Sequence, residues 1–306
     1  MNLKKFLKTN KLTKNLYLRL ALLRRHRRIN KSLKDTIISD FKKWVGYDIN
    51  LTNPQTFNEK LQWLKLNYRN PIATTLVDKI EVRGIIGKLF GEEYLIETYG
   101  TFNNAKEINF EELPDQFVLK PNHSSGRVII CTNKNELDIR KTKNTLNNWL
   151  KENYYFEGGE WIYKNIKPRI ICEKLLDDNI EDYKIFCFNG KPQFTQVISN
   201  RKDKKYDMNY YDLNWKEFSL NRKDEVKSNS EFQKPKNFDK MIHFSKLLSK
   251  DFPFVRVDFY EVNNKLFFGE LTFYPMNGFI PFENYSEDLK WGKLIQLPSE
   301  HLVEVN

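Results

Sequence analysis

Asp258 and Glu270 each interrupt an otherwise apolar, strand-like run: Phe254-Val-Arg-Val-Asp-Phe-Tyr260 and Lys265-Leu-Phe-Phe-Gly-Glu-Leu-Thr-Phe273. A carboxylate inside such a run is costly unless it is paired or bound to a cation. Two that face each other suit Mg²⁺, which takes hard oxygen ligands and shares its remaining positions with substrate phosphates. Whether they face depends on register, because residues directly opposite in an antiparallel pair lie on one side. The runs are joined at Asn263-Asn264. A two-residue turn pairs Val262 with Lys265, sets Asp258 opposite Gly269 and turns Glu270 away. A three-residue loop over Asn263–Lys265, or a bulge of equal effect, sets Asp258 opposite Glu270 with Arg256 and Thr272 on the same face. The facing register, by that loop or by such a bulge, is the expectation. Without facing carboxylates the two runs are an ordinary hairpin with one solvated side.

Upstream, Phe117-Val-Leu-Lys-Pro-Asn-His-Ser-Ser-Gly-Arg-Val-Ile-Ile130 is an apolar strand ending in Lys120, a loop of small residues and a second strand. Ser124, Ser125 and Gly126 can offer backbone N–H groups and hydroxyls to phosphates. Lys120 can add a point charge. One glycine makes a thin phosphate loop, and a lysine before a plain turn is the competing reading. His123 reads as a loop hydrogen-bonder. Ile171-Cys-Glu-Lys-Leu-Leu176 is a strand running into a connection, where Glu173 can bond a base or ribose. Period-2 alternation puts Asp182 and Lys184 on one face of the next strand. Each alone fits a surface ion pair.

The order of these pieces resembles the ATP-grasp family. The likeness extends to D-alanine–D-alanine ligases, where an Arg-Val-Asp-Phe-Phe strand precedes a Glu-x-Asn strand. It is strongest to the TupA-like branch, linked to teichuronopeptide and surface-polysaccharide synthesis. Phe117–Ser125, Asp182–Pro192 and Phe254–Gly278 carry it, within about residues 50–297. The resemblance implies an α+β ATP-grasp fold, two subdomains gripping ATP between antiparallel sheets. It implies ATP and Mg²⁺ as cofactors. Lys120 would hold the α/β-phosphates, and Ser124, Ser125 and Gly126 would cover the β/γ-phosphates. Glu173, with the backbone of Lys174 and Leu175, would hold adenine and ribose, and Asp182 would lie at the nucleotide. Asp258 and Glu270 would bind the metal. Thr272 stands where the family has a metal-binding Asn, a weaker neutral ligand. Arg256, with Lys184, would face the transferring phosphoryl group. The implied activity is carboxylate–amine ligation through an acyl phosphate, with a glycan hexuronate as the carboxylate and an amino acid or amine as the second substrate. The alternatives are a glycosyltransferase-like role, which would want a D-x-D pair at a strand end that does not occur here, and a non-catalytic nucleotide-binding assembly factor.

The elements that must position these residues follow from pattern. Asp35–Tyr47 reads as a short helix, and Thr56-Phe57-Asn58-Glu59 as a capped helix start. Asp78–Phe90 reads as a helix, Tyr94–Tyr99 as a strand and Thr142–Glu152 as an amphipathic helix. Asn189-Gly190 joins two strands as a hairpin. Phe238–Ser249 is a helix with Met241, Phe244, Leu247 and Leu248 on one face. The span 277–306 reads as mostly loop. Residues 201–236 read as an irregular hairpin or mobile loop, and the Tyr- and Lys-rich stretch 201–215 as rings that could stack on an anionic sugar. The division expected is a basic segment 1–34, a helical region 35–100 and an ATP-grasp domain 101–306, split near 175 into a small and a large subdomain.

Composition bounds the rest. The 306 residues carry a net charge of +11, but twelve Lys and Arg and no Asp or Glu fall in residues 1–34. The remaining 39 basic residues face 40 acidic ones, so the body is neutral and nucleic-acid binding is not expected. The apolar part of the basic segment, Leu16–Leu23, is broken by Arg19 and is far short of the ~20 residues of a membrane span. A basic amphipathic helix touching an anionic membrane face fits it, as does a basic helix packed on the body. The expected location is cytoplasmic, at the inner membrane face. Cys131, Cys172 and Cys187 have no zinc-ligand spacing and read as buried free thiols.

Overall fold

The computed structural model describes residues 11–177, 180–199, 207–224 and 231–298. Two antiparallel sheets organise the chain. The smaller runs β1-β4-β2-β3, with β1 Thr98–Phe102, β2 Phe117–Pro121, β3 Ile129–Cys131 and β4 Ile170–Lys174. The larger runs β10-β9-β5-β6-β7-β8, with β5 Glu181–Phe188, β6 Lys191–Ser199, β7 Asp207–Asp212, β8 Glu217–Phe218, β9 Phe254–Val262 and β10 Lys265–Thr272. The helices are α1 Lys11–Lys31, α2 Leu33–Trp44, α3 Phe57–Asn67, α4 Ile72–Val77, α5 Glu81–Phe90, α6 Ile139–Trp149, α7 Tyr155–Gly158, α8 Phe238–Ser249 and α9 Tyr285–Gly292.

The smaller sheet sorts its residues by period 2. Phe117, Leu119, Ile170 and Cys172 join Phe110 and Leu146 in a separate core. Val118 and Lys120 pair with Glu173 and Ile171, so Lys120 and Glu173 share the opposite face. The larger sheet packs with α3, α5 and α8 in the main core, where Phe57, Phe188 and Phe254 meet edge to face or tilted at 5.1–6.0 Å. Thr56 and Glu59 form the capping box that opens α3. The Asn189-Gly190 turn has φ of +49° and +75°, as a two-residue hairpin requires. The three cysteines are free and buried.

Several expectations shift. The strand predicted over Tyr94–Tyr99 begins only at Thr98, after a 3₁₀ turn at Glu92–Tyr94. The span predicted as loop contains α9, capped by Asn284, whose side chain accepts from the Glu287 N–H. Asp288 on α9 accepts from Tyr47 Oη at 2.8 Å and from Asn58 N and Nδ2 at 3.0 and 2.7 Å, tying the C-terminal part to the helical region. Tyr210 and Tyr211 are core residues, 0% and 2% exposed, so they cannot stack on a sugar. As neighbours on β7 they face opposite sides of the larger sheet, and both sides are covered there. Trp215 stacks on Tyr211 at 4.5 Å. Residues 200–206 and 225–230 of that stretch lie outside the described residues.

Residues 1–10 likewise lie outside them. The C-terminal half of α1 packs on the body: Ile29 is buried, Arg28 pairs with Asp40 at 3.0 Å and His26 stacks on Phe156 at 3.9 Å. Leu20, Leu22 and Leu23 are exposed. Among the described residues no helix is long and apolar enough to cross a membrane.

Candidate active site

β9 and β10 do bring Asp258 opposite Glu270, Arg256 opposite Thr272 and Val257 opposite Leu271. The three-residue loop is not the device. Asn263 and Asn264, with φ of +52° and +62°, form a two-residue turn that pairs Val262 with Lys265. The register shifts instead between Phe268 and Glu270, where Gly269 is the extra residue. A Cβ on Gly269 would stand 2.9 Å from the Asp258 carbonyl oxygen, so the bulge needs glycine.

The facing residues are tied together. Arg256 donates from Nε to Asp258 Oδ1 and from Nη2 to Oδ2, both at 2.7 Å, and from Nη2 to Thr272 Oγ1 at 3.0 Å. Lys184, opposite Asp258 on β5, places Nζ 2.5 Å from Asp258 Oδ2 and 2.7 Å from Asp182 Oδ2. Burial would raise the pKa of Asp258, but the Arg256 and Lys184 charges outweigh it and hold the carboxyl below its ordinary range. Glu270 is held low against the same burial, chiefly by Lys79. Both carboxylates are therefore ionised at neutral pH.

A second cluster lies on the smaller sheet. Lys120 Nζ is 2.5 Å from Glu173 Oε2, and Arg83 Nη1 is 3.6 Å from Glu173 Oε1. The side chain of Lys174 points elsewhere, to Glu97 at 3.3 Å, and its N–H is paired with Glu97 O. Leu175 continues past the strand end, half-buried.

Lys79 links the clusters. Its Nζ donates to Ser124 O at 2.8 Å and lies 3.3 Å from Glu270 Oε2. The turn holding it is fixed by Asp78, which accepts from the Ile80 N–H at 2.9 Å and from Asn122 Nδ2 at 2.9 Å. Gly126 takes φ +71° with open space where a Cβ would lie. His123 is a structural hydrogen-bonder, its ring nitrogens 3.2 Å from Asn122 Oδ1 and 3.1 Å from Glu152 O.

Lys79 and Arg83 escaped sequence reasoning because they come from the helical region preceding the sheets. The available signal was Asp78-Lys79 just ahead of a helix start, with Arg83 in its first turn. Also missed was a cavity of about 180 Å³ beside Arg256, Glu270 and Thr272, lined as well by Ser125, Tyr154 and Glu160.

The donor set fits one Mg²⁺. A carboxylate offers about four lone-pair sites. Arg256 and Lys184 occupy three of those on Asp258, leaving one on Oδ1, whereas Glu270 keeps most of its own. Among the described residues no group of three or more His, Cys, Asp or Glu could hold a metal, so other ligands would have to come from phosphates and water.

Residues 59–296 match the family described as TupA-like ATPgrasp. No curated protein matches the chain. Solved structures similar to it include D-alanine–D-alanine ligase from Bacillus anthracis complexed with ATP, at 14% identity and TM-score 0.37, covering 65% of this chain and 55% of that one. The L-amino acid ligase from Bacillus licheniformis gives 12% identity and TM-score 0.42, covering 70% and 47%. The D-alanine–D-alanine ligase from Helicobacter pylori gives 14% and 0.40, covering 78% and 69%. The chain spans 55% and 63% of the lengths of the two Bacillus anthracis ligase structures it matches.

Proposed function

The chain belongs to the TupA-like ATP-grasp family, and from that premise we propose that it joins a carboxylate to an amine with ATP, through an acyl phosphate. The observation that carries this is Asp258 beside Glu270 on adjacent strands, under Arg256 and Lys184 and within reach of Lys79. Two ionised carboxylates among cations suit a metal–triphosphate.

In this reading Lys120 and Lys79 leave Glu173 and Glu270 for phosphate oxygens, and the Ser124–Gly126 loop covers them with N–H groups. Glu173 and the backbone of Leu175 would receive adenine and ribose, the Lys174 N–H being already spent on Glu97 O. Asp182 keeps Lys184 in place beneath the phosphates. Asp258 and Glu270 would hold Mg²⁺, and the Thr272 hydroxyl could offer it a weaker neutral oxygen. When bound, the metal neutralises charge on the phosphoryl oxygens. Arg256 faces the phosphoryl group and then the oxyanion formed at the acyl carbon. No side-chain nucleophile is required; positioning and electrostatics do the work.

The carboxylate we favour is a hexuronate of a surface glycan, and the second substrate an amino acid or amine; the TupA-like family name is what supports the glycan. The direct test is oxygen transfer. Mg-ATP, ethylamine and a uronic acid labelled with ¹⁸O in its carboxyl should give ADP and singly labelled inorganic phosphate by mass spectrometry. Release of UDP from a nucleotide sugar, or unlabelled phosphate with amide formed, would remove the ligase reading. The basic segment supports a site of action at an anionic membrane face. Removing residues 1–22 should cost binding to phosphatidylglycerol vesicles in a sedimentation assay and leave the melting temperature within about 2 °C; unchanged sedimentation ends that placement.

A further inference from the structure

The cavity beside the hairpin is lined by Arg256 and Thr272, by the carboxylates of Glu270 and Glu160, and by Tyr154, Tyr163 and Tyr274. Glu160 is 4% exposed, and among the described residues no hydrogen bond or ion pair reaches its carboxylate. The cation packed behind it, Lys65, spends its Nζ on the carbonyls of Gly158 at 2.9 Å and Asn277 at 2.7 Å. Lys65 is not on the cavity wall; it makes a carboxylate tolerable there without occupying it. An ionised carboxyl with no donor is expensive in such a place, and a cationic ligand would relieve that cost.

Resting on the ligase reading above, we propose that this cavity is the amine subsite and that Glu160 binds the substrate ammonium and takes its proton. Size agrees. At about 30 Å³ per water-sized group, 180 Å³ holds roughly six groups, enough for a small amine or the amino end of a larger one. Asn277 Oδ1, buried on the same wall with no hydrogen-bond partner, can accept from the ammonium but cannot take its proton. Glu270 is held low, chiefly by Lys79 against its burial, and is a poor base. Burial pushes the phenols of Tyr154, Tyr163 and Tyr274 up, so they stay protonated. Burial raises Glu160 to about 7, moderated by Lys65, which matches a proton acceptor working near neutrality.

The step balances. The amine nitrogen bonds to the acyl carbon and the bond from that carbon to the phosphate oxygen breaks. Of the two protons the ammonium sheds, one passes to Glu160 and the other leaves with inorganic phosphate.

The probe is ethylamine hydrochloride, titrated by calorimetry into the full chain with Mg-ADP, with sodium acetate as the opposite-charge control. The wild type should bind ethylammonium with a millimolar dissociation constant. Glu160→Gln should weaken it at least tenfold and leave or tighten acetate. Glu160→Asp, which keeps the charge, should stay within about threefold and serves if the glutamine variant folds poorly. Equal ethylammonium binding in wild type and Glu160→Gln overturns the proposal, as does no binding by wild type or loss of acetate binding in its place. Mg-ADP affinity and the ¹⁸O transfer report separately on the ligase reading.

Discussion

Glu270→Gln is expected to lower Mg-ATP turnover roughly a thousandfold while the protein keeps nearly all its stability. Metal stabilisation of the transferring phosphoryl group is worth several kcal/mol, and each ~1.4 kcal/mol is tenfold in rate. Glu270 is half-buried, and its ion pair with Lys79 at 3.3 Å is of the kind worth under about 1 kcal/mol. Asp258→Asn makes the contrast. Asp258 is 1% exposed and holds both Arg256 and Lys184. Its neutralisation should abolish turnover and also cost about 3–5 kcal/mol, because the cations lose their main buried partner. ADP production and urea denaturation, measured on both variants, separate the two effects. Full activity in both removes the metal assignment. Activity lost only in proportion to unfolding makes the cluster structural.

Arg256→Lys should lower kcat by about 100- to 1,000-fold, with KM for ATP within a few-fold, the usual scale for losing one preorganised donor. The guanidinium makes three hydrogen bonds at 2.7, 2.7 and 3.0 Å, two to Asp258 and one to Thr272. An ammonium cannot reproduce that fork. The variant should also be more acid-sensitive. The Asp258 carboxyl lies below its ordinary pKa in the folded protein, with burial opposed by Arg256 and Lys184. Its contribution to stability is thus present above pH ~4 and is lost as pH falls through the folded value. With part of the Arg256 contribution gone, that loss should begin at higher pH, moving the acid-unfolding midpoint upward. Unchanged kcat would remove Arg256 from the chemistry, and an unchanged midpoint would show that Lys184 alone sets the Asp258 charge.

What the sequence disclosed depended on how locally each residue is placed. The facing of Asp258 and Glu270 was legible because strand alternation is local; of the two devices that give it, a longer loop or a bulge, the chain uses the bulge. Two asparagines that both tolerate positive φ favour the short turn, and the glycine inside a strand at 269 was the bulge signal. The Thr56 capping box was legible, while Asn284 with Glu287, a similar cue, was passed over in a stretch rich in turn residues. Tyr210 and Tyr211 were misread because ring content was weighed ahead of strand position. Lys79, Arg83 and Glu160 were beyond local reading. Lys79 meets Glu270 across 191 positions of chain, and no spacing in the sequence records that meeting.

The pairing around the cleft has a thermodynamic corollary. Lys120 with Glu173, Lys79 with Glu270, and Lys184 and Arg256 with Asp182 and Asp258 form a self-neutralised set of four cations and four carboxylates. On the ligase reading, a triphosphate would therefore enter by exchange, drawing lysines off carboxylates that then need a cation of their own. Magnesium arriving with the nucleotide would meet that need, and the two ligands would be positively linked, each raising the affinity for the other by the same factor. A simple anion such as sulfate brings no such compensation, and the charge swap itself becomes a source of selectivity.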